Sequence, residues 1–110
     1  VAQTLDWIRE GMFEDRWDMD FEKAIGATTA VTSLTAARKE LDAAWERMSA
    51  RVEASSDAEL TQPMADNPIL GTRARYNGIE AMIDHTGHHR GALTVYARLA
   101  GRVPEMPYGD

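Results

Sequence analysis

The stretch Asp84-His85-Thr86-Gly87-His88-His89-Arg90-Gly91 contains all three histidines of the chain. It lies inside a proline-free run from Tyr76 to Leu99 that reads as helix. Residues four apart on a helix share a face, one turn from each other. His85 and His89 therefore point the same way and are spaced to share one metal ion, while His88 points elsewhere. Around them Ile79, Met82, Ile83, Thr86, His89, Leu93, Tyr96 and Ala100 form one broad stripe, with His85 on its flank. The pair is expected to look into a bundle interior. Gly101 and Pro104 should end the helix. The tail from Arg102 to Asp110, with Pro104, Pro107 and Tyr108, should pack along the outside.

Two imidazoles on a rigid helix are a good chelate but an incomplete one, because a catalytic zinc takes about three protein ligands and keeps one position open. On spacing alone the pair reads either as a metal half-site or as two ordinary histidines. It is not a zincin motif, since Thr86 stands where that motif needs its glutamate. His88 reads as a structural or hydrogen-bonding residue. Arg90 is expected on the interior side near Ile79 and Ile83. It is there either to pair with a carboxylate from another helix or to anchor an anionic substrate group. Gly87 and Gly91 weaken the helix, and their expected use is close approach of a neighbouring helix or room beside the metal.

Working outward, the clearest amphipathic helix starts at a cap among Thr32, Ser33 and Thr35 and runs to about Ala54. Its stripe is Leu34, Ala37, Leu41, Ala44, Trp45, Met48 and Val52. Ser55-Ser56-Asp57 breaks it, and Asp57 is expected to cap a short turn through Leu60, before Pro63. Asp66 to Gly71 reads as a loop. Near the start, Val1, Leu5, Ile8 and Met12 mark a helix to about Phe13, with Trp7 beside its stripe. Between Glu14 and Ala30, Trp17, Met19 and Phe21 alternate with Asp18, Asp20 and Glu22. That pattern suggests an extended piece or an anchored loop with a solvated acidic side, and Gly26 to Thr32 reads as connector.

At 110 residues the chain is a single domain, 1–110. A net charge of −6 argues against a nucleic-acid partner. With no cysteine, disulfides, thiolate ligands and a cysteine nucleophile are excluded. No apolar run is long enough for a membrane span, and the opening segment does not read as a signal peptide, so a cytoplasmic location is expected. Val1 looks already mid-helix, without a cap, which leads to the expectation that residues upstream are missing. Three long helices with interior stripes call for a fourth.

The run from Asp84 through Ala-Leu-Thr-Val-Tyr-Ala-Arg-Leu-Ala-Gly to Val103-Pro104-Glu105-Met106-Pro107-Tyr108-Gly109 resembles the last helix and tail of the DinB family. Ala92 stands where that family usually has glutamine. Ala2-Gln3-Thr4-Leu5-Asp6-Trp7 resembles its second helix more weakly. The resemblance implies an all-α, four-helix bundle of up-down-down-up topology whose first helix is absent from this chain. It also implies a three-histidine metal site, two members matched by His85 and His89. The third is expected immediately before Val1, or else Gln3 takes its place. The resemblance further implies a divalent metal cofactor, zinc first, with nickel or iron also compatible. The implied activity is a metal-dependent transferase using a small thiol such as bacillithiol or mycothiol, with hydrolysis less favoured. The other reading is a non-catalytic, metal-stabilised bundle acting as a dimerisation or stress-response module. A homodimer is expected, with Val95 and Leu99 on the outer side of the last helix available for it.

Overall fold

Leu5, Ile8 and Met12, spaced by three and four, are the centre of the core. In the computed structural model, which describes residues 1–106, they lie on α1 (Ala2–Glu14). Four more helices follow: α2 (Phe21–Thr29), α3 (Leu34–Glu53), α4 (Asp57–Leu60) and α5 (Asn77–Leu99). The described chain is all-helical apart from an isolated bridge between Pro63 and Ala74. No described helix is long and apolar enough to cross a membrane.

Local chemistry sets the boundaries. Ser33 caps α3 by accepting from the Ala36 N–H at 3.1 Å. Ser56, not the expected Asp57, caps α4 through the Glu59 N–H. A serine in extended conformation places its hydroxyl over the first free amides, whereas Asp57 already lies in the first turn. At the end of α5, Gly101 takes φ 75°, and its N–H reaches the Arg98 carbonyl while the Arg102 N–H reaches Ala97. This paired closure needs a left-handed residue, so glycine is the natural stop. Of the tail, Val103 and Met106 are exposed, and Pro107 and Tyr108 lie outside the described residues.

The segment after α1 departs from the expected connector. Residues 21–29 are helical. Asp20 accepts from the Lys23 N–H at 2.9 Å, and Phe21, Ala24, Ile25 and Thr28 follow the three-four spacing of a helix. The acidic alternation obscured that period. Ahead of it, Trp17 packs edge-on against Trp7 with centroids 5.1 Å apart.

The core joins α1 to α3 and α5: Leu5, Ile8 and Met12 against Ala44, Met48 and Met82, closed by Met64 from the loop. Asp6 reaches Arg47 and Phe13 lies under the Arg51 guanidinium, 3.9 Å from ring to cation, so α1 and α3 run the same way. Gly78 meets Ile8 and Met12 at one end of α1, and His85 shares a cleft with Gln3 and Thr4 at the other. α5 therefore runs opposite to α1. A Cβ at Gly78 would overlap Sδ and Cγ of the fully buried Met12 and stand 3.2 Å from Ile8 Cγ2. Gly11 plays the same part for the Trp17 ring.

The apolar stripes are only half covered. On α3, Leu34 and Trp45 stay exposed, Trp45 at 60%. On α5 the fully buried side chains end at Met82: Ile83 is 69% exposed, and Leu93, Tyr96 and Leu99 are exposed to a similar degree or more. No described element lies across them.

Gly78→Ala should destabilise. The helix-propensity gain is about 1 kcal/mol, against about 1–3 kcal/mol for overfilling a packed contact, and urea titration would measure the net loss. The Asp6–Arg47 pair, two bonds at 2.9 and 2.6 Å, makes a second prediction. The Arg47 hydrogen bonds hold the Asp6 carboxyl below its ordinary value. Its stabilisation is therefore complete above the ordinary carboxylate value, about pH 4, and disappears as pH falls through the lower folded value. Asp6→Asn should lose a few tenths to about 1 kcal/mol at pH 7, the range for solvent-screened pairs, and the difference from the parent should shrink as denaturation is repeated at pH values falling below about 4.

Candidate metal centre

His85 and His89 stand on successive turns of α5, their ring centroids 4.4 Å apart and their planes at 76°. Both are half-buried, whereas His88 is exposed with its ring 5.2 Å from that of His89. Nε2 of His85 is buried and has no hydrogen-bond partner among the described residues. A buried polar atom left unsatisfied costs about 1–3 kcal/mol, and Arg9 Nε and Trp17 Nε1 are in the same state.

Burial depresses the pKa of His85 first, and the charges of His89 and His88 act in the same direction, with Asp84 opposing. His89 is lowered by burial, with His88 adding to it. Both imidazoles are thereby biased toward the neutral form, the one with a lone pair to donate to a metal. The N-terminal end of α1 lies beside His85, sharing a cleft with it.

That end of α1 contributes Gln3 and Thr4 to the cleft on which His85 opens. With its amide nitrogen toward α2, Gln3 donates to the Ala24 carbonyl at 2.9 Å and to the Thr28 hydroxyl at 2.6 Å, and its oxygen accepts from the Thr28 N–H at 3.1 Å. Its amide is thus committed to α2. Among the described residues no three His, Asp or Glu side chains converge as a ligand set. The two imidazoles supply two nitrogen donors on one side of α5, short of a complete ligand set.

Arg90 does not take the interior position expected of it. It is exposed, because the face of α5 beyond Met82 has nothing over it among the described residues. The helix-approach use expected of Gly87 and Gly91 is also absent here: a Cβ at either would meet nothing within 4 Å, and the close approach falls instead at Gly78. The wall opposite His85, made of Trp7 with Phe21, Ala24 and Ile25 of α2, was missed in the sequence. The three-four spacing from Phe21 to Thr28 was the signal that could have found it.

A family model of the DinB superfamily matches residues 2–93. The chain belongs to the DinB superfamily. The match runs from α1 through the histidine pair and into the second half of α5, so the DinB resemblance of the two ends extends through the middle of the chain. Comparison with curated proteins and with solved structures gives no match.

In a titration followed by the imidazole C–H resonances, the midpoints of His85 and His89 should fall below the ordinary imidazole value of about 6.5. Unfolded imidazoles take up protons at that value and these two only lower, so the fold should lose stability as pH drops from about 6.5 through their midpoints. His85→Gln and His89→Gln should each flatten that dependence.

Proposed function

We propose that this DinB superfamily protein binds a divalent metal through His85 and His89 and uses it in group transfer from a low-molecular-weight thiol. The observation that carries the reading is the buried, unpartnered Nε2 of His85 beside a second neutral imidazole on the same helix face. Imidazole donors suit zinc first, with nickel or iron next. The chemistry supplied by an ion held there is Lewis acidity, which lowers the pKa of a coordinated thiol so that a thiolate nucleophile exists near neutral pH. The absence of cysteine from the chain fits a thiol that comes from the cosubstrate.

The protein's own residues do the rest. α5 holds the two imidazoles at a fixed separation, and their depressed pKa values keep them unprotonated at pH 7. The N-terminal end of α1 borders the pair, and a third donor brought in from that side would complete the ligand set. Arg90, one residue past His89 and exposed, is the candidate anchor for an anionic group of the substrate.

For the architecture we propose a four-helix, up-down-down-up bundle in which α1, α3 and α5 are the down, down and up members. The shared direction of α1 and α3, the opposite course of α5 and the crossover through α2 support it. The exposed stripe of Ile83, Leu93 and Tyr96 is where the remaining member would pack. A second reading is a metal-stabilised bundle without catalysis. It is favoured by the lack, among the described residues, of a third convergent ligating group beside the pair.

Metal analysis of the protein as purified should find about one divalent ion per chain, lost in His89→Ala. Unchanged metal content in that variant would overturn the metal assignment. In the cobalt-substituted protein, a small thiol should produce a thiolate-to-cobalt absorption band. If the metal binds but no band appears, the non-catalytic reading prevails.

A further inference from the structure

Helix α2 buries none of its residues, yet it carries an apolar side: Phe21, Ala24 and Ile25, with Phe21 52% and Ile25 62% exposed. The side is not packed down on α1, because polar contacts tie the helix at its two ends. At the start, the Trp7 indole N–H donates to the Asp18 carbonyl at 2.8 Å. At the finish, the Gln3 amide joins Thr28 and Ala24. Between these ties lies a cleft of about 610 Å³, a size that suits a small molecule.

The surface of this cleft is mainly apolar, with Trp7 and Phe21 meeting edge to face at 6.2 Å. Its rim charges are largely answered internally: Lys23 bonds to Asp18 at 3.1 Å, and Asp20 caps the helix. Nothing there selects an ionic ligand. His85 forms part of the lining, while its Nε2 is buried.

We propose that this cleft between α1 and α2 binds a small neutral aromatic molecule bearing one polar atom. The proposal rests on the cleft alone and not on the metal-dependent reading above. Aromatic rings with exposed edges and faces favour a flat partner over an alkyl chain, because ring pairs attract beyond the burial of their area. Ala24 and Ala27, small residues on the α2 side, leave the room for it.

4-Methylphenol is a suitable probe, followed by nitrogen–proton spectra of the protein as purified, its metal content measured in parallel. Saturable shifts of the Trp7 indole N–H and of the Ala24 and Ala27 amides are expected. Ala24→Trp, which fills the cleft from an exposed helix position, should weaken binding about tenfold or more, a loss of about 1.4 kcal/mol or more, with metal content unchanged. His89→Ala should lose metal and keep the probe affinity within about twofold, which is under about 0.5 kcal/mol. If metal is absent from the parent while the probe still binds here, the metal reading fails and the cleft stands. The proposal is overturned if the shifts do not saturate, if they gather on Leu93, Tyr96 and Leu99 of α5, or if Ala24→Trp binds as tightly as the parent. Should that variant not fold, the shift map of the parent decides alone.

Discussion

The contact on which the rest depends is the seat of Met12 and Ile8 on Gly78. With no Cβ at Gly78, α1 lies directly against the start of α5. That approach sets where the two helices cross and how their opposite courses line up. Seven residues further along α5, roughly two turns at 3.6 residues each, stands His85. It stands beside the other end of α1, among Gln3 and Thr4. The glycine is a structural residue, yet it fixes which part of α1 the histidine pair faces. Arg75 reinforces the crossing: its guanidinium donates to the Met12 carbonyl and stands 3.8 Å from Asp15, so a cation answers the negative end of α1.

From that crossing come the polar and apolar demands of the site. Burial near α1 removes water from His85, which lowers its pKa and leaves Nε2 without a partner. The same N-terminal stretch of α1 supplies Gln3 to tie α2 and Trp7 to back the cleft. One short helix segment thus serves three structures at once: the core, the histidine pair and the aromatic wall. The alternation of Leu5 and Ile8 with Gln3, Thr4 and Trp7 makes this possible, because a helix presents different faces at successive residues.

The parts legible in the sequence were those with a period. The stripe on α1, a cap for α3 among Thr32, Ser33 and Thr35, a stripe on α3 that includes Ala44 and Met48, and Gly101 as the stop of α5 all follow from local spacing and backbone chemistry. The pairing of His85 with His89 is of the same kind, since four residues make about one turn whatever surrounds them. What misled was the assumption that a stripe is covered along its full length. Ile83, Leu93 and Trp45 have the period of core residues and stay exposed. The same assumption puts Arg90 inside, and it lies outside. Helix α2 was hidden by acidic residues that fall between its apolar positions and by a glycine in its middle.

The sequence by itself determined the all-helical class, the boundaries of the three long helices and the placing of His85 and His89 on one side of a helix, because each depends on contacts within a few residues. Only the tertiary structure decided that Gly78, and not Gly87 or Gly91, is the point of close approach. Only it showed that Gln3 is committed to α2, and that His85 opens on an apolar cleft walled by Trp7 and Phe21. Those facts depend on which residue of one helix meets which residue of another. Periodicity names the face that a helix presents but carries no information on where along its length the neighbour crosses.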